Sequence, residues 1–280
     1  MSCKRRSKER SPVTGLEFLA RAFIAGAVMS AMPAFAAPVF TPFLSVDLNG
    51  YNAAGGQVLG PTATGYQGWE AVEGLFLDPS IDWGGSGAAG LTRVFSTSEG
   101  NITATMTGVG ASRGARNRGT NLDALGDLTQ DFVFAQRDFA QGLGRNYIKL
   151  TLSGLSPGQP YEVTTFAREP AFGDADSFAA WTDRAALGGL DGPAAWLDAH
   201  VGAGASYLAA PGGTNNPIPT LVRAQESGPN SLDPYAYSAT FLSFADGSGF
   251  VTLYGWSDGN DLDATTQNAA LLNGFEIGRV

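Results

Sequence analysis

The chain has 280 residues and a formal net charge of −9, and 38 of its residues are glycine and 15 are proline. Glycine and proline together stay below the share that marks low-complexity chains, and 44% of the residues are apolar, so the composition excludes wholesale disorder. The length fits one large all-β domain or two smaller domains.

The first 36 residues have the pattern of a secretory signal peptide. Basic residues between Lys4 and Arg10 precede the 11-residue apolar run AFIAGAVMSAM, and the small-residue site Ala34-Phe35-Ala36 follows it. The run is too short to cross a bilayer as a helix. We therefore predict cleavage after Ala36 and a secreted chain, residues 37–280, located outside the cell or at its surface. Retention of the run as a membrane anchor is the alternative.

Charge and cysteine content restrict the partners and chemistry of the remaining chain. The predicted signal holds six of the 17 basic and two of the 26 acidic residues, which leaves a net charge of −13. Such a charge repels phosphate backbones and anionic lipids, so we expect no nucleic acid partner. No later apolar stretch reaches the length of a membrane span. The only cysteine, Cys3, lies in the predicted signal, so no thiol remains for a disulfide, a metal site or a nucleophile.

Short alternating or apolar runs, broken by Gly, Pro, Asn and Asp, predict a series of β-strands. The expected strands are Val39–Leu48, Asn101–Thr107, Tyr147–Leu152, Tyr161–Ala167 and Leu271–Ile277, with SGLSPGQP as a turn cluster before Tyr161. Alternation predicts two inward-facing sets: Ile102, Ala104 and Met106 in one strand, and Ile148, Leu150 and Leu152 in another.

Two further runs, Tyr235–Phe244 and Phe250–Trp256, flank the sequence Asp246-Gly247-Ser248-Gly249. Both runs are rich in aromatic and β-branched residues, so they predict a β-hairpin with a glycine-containing loop.

One segment departs from the strand pattern. The alanine-rich stretches SFAAWTDRAA and PAAWLDAH predict two short helices, separated at Asp191-Gly192-Pro193. We expect Gly173–Thr220 to be an insertion that carries them. The complete pattern predicts an all-β fold, an antiparallel jelly-roll-type β-sandwich over residues 37–280 with a small helical insertion at about 173–220.

Several stretches in this order resemble secreted bacterial β-sandwich modules of the galactose-binding-like, jelly-roll type. They are VDLNG, GPTATGYQGW, NRG, DFVFAQ, LTLSGLSPGQPYEVTTF, ADGSGFVTLYGWSDG and ALLNGFEIG, spread over most of residues 39–280. The resemblance implies a module of the kind found on surface proteins and polysaccharide-acting proteins.

Aromatic residues near glycine-rich loops are candidates for sugar binding, because a flat ring packs against the C–H face of a pyranose. Trp69, Trp83 and Trp256 have such positions, and Tyr66 lies close to the first of them. Burial in the core is the alternative for each ring. Arg118, in the basic loop 113–118, is a candidate for contact with an anionic sugar or a carboxylate, against a solvated loop as the alternative.

The densest group of oxygen ligands is Asp258, Asn260, Asp261 and Asp263. Carboxylates and amides of this kind bind Ca²⁺, but the EF-hand pattern fails because Leu262 takes the place of the third ligand. We weigh a structural Ca²⁺ loop against an ordinary polar turn.

Catalytic patterns are sparse. His200 is the only histidine, and we expect it at the end of a helix, where a cation is favoured. The sequence has no G-x-S-x-G nucleophile elbow. Carboxylate pairs such as Glu70 with Glu73 or Asp174 with Asp176 keep glycoside chemistry open. The predicted function is a secreted, non-catalytic module that binds extracellular or cell-surface glycan. A glycan-acting hydrolase or lyase using carboxylates and a purely structural surface protein are the alternatives.

Overall fold

The computed structural model describes residues 41–49, 62–70, 91–109, 112–117, 128, 131–136, 146–168, 179–203, 218–223, 238–257 and 269–280. Its elements are β1 (Pro42–Asn49), β2 (Gln67–Glu70), β3 (Leu91–Thr97), β4 (Gly100–Val109), β5 (Ser112–Asn117), β6 (Asp131–Gln136), β7 (Tyr147–Ser153), β8 (Pro160–Phe166), β9 (Ala179–Asp183), α1 (Pro193–His200), β10 (Val222–Arg223), β11 (Ser238–Phe244), β12 (Val251–Ser257), β13 (Ala269–Leu272) and β14 (Gly274–Arg279).

Two large sheets form the body of the fold. Their strand orders within the described residues are β11-β8-β14-β1-β2 and β10-β9-β12-β7-β4-β3, and a smaller sheet has the order β13-β6-β5. The described pairs are antiparallel, except that β1 and β2 run parallel. A single buried cluster takes residues from both large sheets, for example Val163 and Phe275 from one and Ile102 and Leu150 from the other. The predicted all-β sandwich is confirmed.

The alternating sequences fold as their period requires, since successive side chains of a strand point to opposite faces. In β4 and β7 the predicted inward sets are fully buried: Ile102, Ala104, Met106, Ile148, Leu150 and Leu152. The intervening threonines and lysine of these strands are only partly buried. Both predictions of an inward face are confirmed.

The prediction that Leu271–Ile277 forms one continuous strand is wrong. The structure divides this run at Asn273 into β13, which pairs with β6, and β14, which pairs with β1 and β8. In a jelly roll the two ends of the chain meet, so the predicted fold also requires the terminal run to pair near the start of the sandwich. The pairing of β14 with β1 confirms this. The break is needed because the chain changes sheets at Asn273. At Gly274 a Cβ atom would collide with the carbonyl oxygen of Val46.

Asn273 is fully buried and links four strand ends. Its Nδ2 donates to the carbonyl oxygens of Asp131 (2.7 Å) and Arg168 (3.2 Å), and its Oδ1 accepts the amide of Arg168 (2.5 Å). Its backbone amide donates to Phe166 and its carbonyl accepts the amide of Leu48, both at 2.8 Å. One side chain therefore satisfies backbone groups at the ends of β6 and β8, while its backbone continues the ladder to β1.

The predicted hairpin between Tyr235–Phe244 and Phe250–Trp256 is wrong. Strand β11 pairs with β8 in one large sheet, and β12 pairs with β7 and β9 in the other. Residues 245–250, called the arch below, therefore cross from one sheet to the other. A short polar loop between two apolar strands looks the same in sequence whether the strands pair or stack, so the local pattern did not distinguish the two.

The first of the two predicted helices is also wrong. Within SFAAWTDRAA, residues Ala179–Asp183 form β9, which pairs with β12 and β10. The side chain of Trp181 is fully buried in the sandwich core and lies against Gly255, where an added Cβ would come within 2.7 Å of the indole ring. Burial of this large ring outweighs the modest helix propensity of its alanine neighbours. The second stretch does form α1, with Pro193 in its first turn.

Helix α1 covers part of the outer face of the six-stranded sheet. Leu187 and Leu197 pack there with strand residues, including Tyr147, Tyr254 and Trp256, in a second buried cluster. At the edge of this cluster Asp191 accepts hydrogen bonds from Lys149 Nζ (2.7 Å) and from the Tyr254 hydroxyl (2.8 Å). Partial burial acts to raise the pKa of Asp191, but these two bonds and the Lys149 charge bring it below its usual 3.8.

Residues Pro38–Val280 make up one compact unit. The predicted signal peptide, residues 1–36, lies outside the described residues, and its cleavage stays a prediction. Among the described segments, no helix combines the length and the apolar character needed to cross a membrane.

Replacing Asn273 tests the junction of strand ends. Asn273→Ala leaves buried backbone groups of Asp131 and Arg168 without their partner, so we expect unfolding free energy to fall by about 3 kcal/mol. Equilibrium urea unfolding measures it. The matched control is Asn101→Ala at an exposed position, where we expect a change within about 0.5 kcal/mol. Equal losses in the two variants would contradict the role of Asn273.

The pKa of Asp191 gives a prediction for acid stability. A carboxyl whose folded pKa lies below its unfolded value stabilises the fold above that unfolded value and loses this effect as the pH falls. We therefore expect Asp191→Asn to lower the urea midpoint at pH 7, with the difference from the wild type shrinking as the pH drops below about 4. Lys149→Met should show the same pH trend. A difference that does not vary with pH would mean that the ionised carboxylate is not what matters.

Candidate functional site

A cavity of about 280 Å³ opens where the turn after β9 meets the arch. Its walls come from both large sheets, which places chain segments far apart in sequence side by side. The lining residues are Asp183, Arg184, Ala185, Gly189, Ser243, Phe244, Asp246, Phe250 and Thr252. This cavity is the candidate binding site.

The floor of the cavity is a buried carboxylate. Asp183, at the end of β9, is 6% exposed, and its Oδ2 accepts a hydrogen bond from the Ser243 hydroxyl of β11 (2.8 Å). Its Oδ1 accepts the amide of Ala186 (2.7 Å). The carboxylate thus connects the two sheets and is fixed in position. A carboxylate oxygen can accept more than one hydrogen bond, so Asp183 can still accept one from a ligand hydroxyl.

Two phenylalanine rings stand at the rim. Phe244, the last residue of β11, is 55% exposed, and Phe250, just before β12, is 40% exposed. Large aromatic side chains usually lie inside, so two exposed rings beside one cavity are informative. Their faces offer the apolar contact that the C–H side of a sugar needs.

Arg184 supplies hydrogen-bond donors at the same rim. The side chain is exposed, and its Nε donates to the carbonyl oxygen of Gly189 (3.0 Å). That bond limits the orientation of the guanidinium. Within the described residues the Nη nitrogens have no hydrogen-bond partner, so they can donate to a ligand in a forked arrangement.

The arch is held rigidly by hydrogen bonds. Asp246 Oδ1 accepts the amides of Ser248 (2.8 Å) and Phe250 (3.0 Å), and the Asp246 amide donates to the Phe250 carbonyl (2.8 Å). The neighbouring turn 153–159 also bonds to it, for example through the Gly158 amide to the Ala245 carbonyl (2.9 Å). The ring of Phe250 is thereby set on a preorganised loop, which reduces the entropy lost on binding.

Three of the residues predicted to bind a ligand are described, and they lie in three different places. Trp69 is 2% exposed and contacts Phe95 edge-on in the sandwich core, and Trp256 is fully buried beneath α1. Neither ring exposes a face, so the core alternative holds for both. Tyr66 is partly buried and donates its hydroxyl hydrogen bond to Glu276. Trp83 and Arg118 lie outside the described residues.

The predicted Ca²⁺ ligands Asp258, Asn260, Asp261 and Asp263 also lie outside the described residues, so the loop stays a prediction. Among the residues that are described, no group of three or more His, Cys, Asp or Glu side chains is placed to hold a metal ion. His200 occupies the last turn of α1, as expected, where its Nδ1 and the Trp196 carbonyl oxygen are 2.9 Å apart and its ring stacks on that of Trp196.

The cavity residues are not predicted by the sequence, because the arch has the local pattern of a hairpin loop. A usable signal was present, since Phe244 and Phe250 stand at the two ends of the short polar stretch 245–249. In β11 the alternation also places Phe244 on the exposed side with Thr240 and Leu242. Asp183 and Arg184 carry no comparable signal, because they lie in the alanine-rich stretch SFAAWTDRAA, whose composition predicts a helix.

The backbone of the arch depends on Gly249. Its φ is +79°, and a Cβ there would collide with the carbonyl oxygen of Leu155. We expect Gly249→Ala to reduce unfolding free energy by about 1–3 kcal/mol in urea unfolding. Gly247→Ala is the matched control on the same loop, where a Cβ meets no atom within 4 Å. Equal stability of the two variants would contradict this account of the arch.

No protein-family model matches the chain, and no curated protein matches it. Among solved structures, the K2 cleaved adhesin domain of Lys-gingipain is 13% identical with a TM-score of 0.24, over 69% of this chain and 100% of the adhesin domain. A TM-score of this size carries no argument about fold or function. The resemblance to galactose-binding-like modules therefore stays a prediction.

Proposed function

We propose that the protein is a secreted, non-catalytic module that binds glycan in the cavity beside the arch. The observation that carries the proposal is the pair of exposed rings, Phe244 and Phe250, next to a fixed acceptor and a fixed donor. Asp183 accepts from sugar hydroxyls and Arg184 donates to sugar oxygens, while the rings contact the C–H face. A few polar groups fixed on a rigid apolar site are the usual composition of a small-ligand pocket.

The hydrogen bonds within the cavity favour binding over catalysis. Asp183 accepts one bond at each oxygen, and Asp246 accepts two at Oδ1. Both carboxylates therefore act as acceptors that stabilise the protein. Glycoside hydrolysis needs one carboxylic acid to give up a proton and a second carboxylate at a set separation. We assign Asp183 to ligand orientation and Asp246 to the support of the arch.

Binding is tested by affinity electrophoresis of residues 37–280 in gels containing hydroxyethylcellulose, laminarin, galactomannan or xylan. We expect at least one polymer to retard the protein without release of reducing ends. Phe250→Ala and Phe244→Ala should each weaken binding about tenfold, because each removes a ring contact.

The matched control is Leu242→Ala, which removes a 46% exposed side chain from β11 that does not line the cavity. It should leave the retardation unchanged. Lack of retardation by every polymer would overturn the proposal in favour of a structural surface protein. Release of reducing ends that Asp183→Asn abolishes would instead favour a hydrolase or lyase.

A further inference from the structure

A row of threonines crosses the outer face of the six-stranded sheet. The pairing register sets Thr92 of β3 opposite Thr105 of β4, Thr105 opposite Thr151 of β7, and Thr151 opposite Thr252 of β12. Four neighbouring strands thus place the same side chain at the same level. We call these four residues the threonine row.

The row faces outward. The adjacent residues Met106, Leu150 and Leu253 point the other way and are fully buried in the core. Thr92 is exposed, and the other three threonines of the row are partly exposed. The hydroxyls of Thr92 and Thr105 are 3.0 Å apart, so they are directed along the row, across the strands.

The row ends in the candidate site. Thr252 lines the cavity, and its carbonyl oxygen accepts the amide of Arg184 (3.1 Å). This bond continues the pairing of β9 with β12 one residue past the strand, so Arg184 extends the row to a fifth position. Threonine is common on exposed strands because its branched side chain suits the pleat. What distinguishes this row is that it leads directly to exposed Phe250 and Arg184.

The middle of the row, Thr105 and Thr151, has no unpaired charge beside it on β7, and the cation Arg184 lies at its end. The four threonines carry no charge, and Lys149, beside Thr151 in β7, is paired with Asp191 at 2.7 Å. Tyr254, directly opposite Lys149 in β12, and Tyr147 are buried in the cluster that includes α1. The threonine row therefore presents hydroxyl groups to a ligand. These groups can exchange hydrogen bonds with the hydroxyls of an uncharged, polyhydroxylated chain.

We propose that the threonine row is a binding strip for an extended neutral polysaccharide, with the cavity as the subsite at its end. This inference rests on the proposed function and names its ligand class. Adjacent strands lie about 4.8 Å apart, so the five positions from Thr92 to Arg184 span about 19 Å. One strand spacing is close to the length of one sugar unit, so the strip holds about four consecutive units across the strands. The ligand is thus a polymer rather than a single terminal sugar.

The inference is tested by the dependence of affinity on chain length. Isothermal titration uses residues 37–280 with neutral oligosaccharides of two to six units, in (1→4)-linked glucose, (1→3)-linked glucose and (1→4)-linked mannose series. For the series that binds, we expect affinity to rise by about tenfold or more from two units to four or five and then to level off, since later units lie beyond the strip.

The variant for this test is Thr105→Val with Thr151→Val, which removes two hydroxyls while keeping side-chain shape. We expect it to bind the longer oligosaccharides no better than the two-unit one, with affinity for the two-unit sugar unchanged. Thr105→Ser with Thr151→Ser keeps the hydroxyls and should retain the chain-length dependence. Thr107→Val, on the same face of β4 but outside the row, is the control and should behave as wild type.

The outcomes separate the two proposals. Affinity that does not depend on chain length, or that the double valine variant leaves unchanged, would overturn the binding strip while leaving the cavity as a glycan site. Failure of every oligosaccharide and polymer to bind would overturn both. Tighter binding of polygalacturonate than of every neutral chain would overturn the neutral ligand class and point to Arg184 as a site for carboxylates.

Discussion

The fold depends on how the buried backbone at the strand ends is satisfied, and Asn273 shows this most clearly. At this position the chain leaves the small sheet and enters a large one. Backbone N–H and C=O groups at the ends of several strands meet there, and they are not paired with each other by strand-to-strand hydrogen bonds. The amide side chain of Asn273 fills the gap, because it can donate twice and accept at the same time. An apolar residue of equal size would leave these groups unsatisfied in a low-dielectric interior, where the penalty is largest. The adjoining Gly274 allows the close approach of β1.

The same two-sheet geometry creates the candidate site. Asp183 is the last residue of β9 in one large sheet, and Ser243 is the last inward-pointing residue of β11 in the other. Their hydrogen bond therefore connects the two sheets. The arch then carries the chain across the same gap and presents Phe250 beside Phe244. Rigid strands and a hydrogen-bonded loop hold these groups in place before any ligand arrives. A binding module needs this preorganisation, because the affinity left after the entropic cost of association depends on how little the protein has to reorder.

The surface beside the cavity presents mainly hydroxyl groups and aromatic rings. The threonine row and the phenylalanine rings are uncharged, and Arg184 is oriented by Gly189. A strongly acidic chain disfavours anionic polymers at long range, while short-range hydroxyl contacts are insensitive to net charge. The outer face of the six-stranded sheet is thus divided in two. One part is covered by α1 and completes a second core, and the other presents polar side chains at regular strand spacing.

The sequence by itself determined the strand-rich fold, the inward faces of β4 and β7, and helix α1. These features depend on period, turn residues and local propensity, which act between near neighbours in the chain. Sequence did not determine which strands pair. The run before Phe244 and the run after Phe250 look like hairpin partners, yet each completes a different sheet, and alanine-rich Ala179–Asp183 becomes a strand because Trp181 fills the core. The tertiary structure alone decided that Trp69 and Trp256 are buried while two phenylalanines are exposed. Which aromatic rings stay in solvent depends on how whole sheets stack, and that stacking is fixed by contacts between residues far apart in the chain.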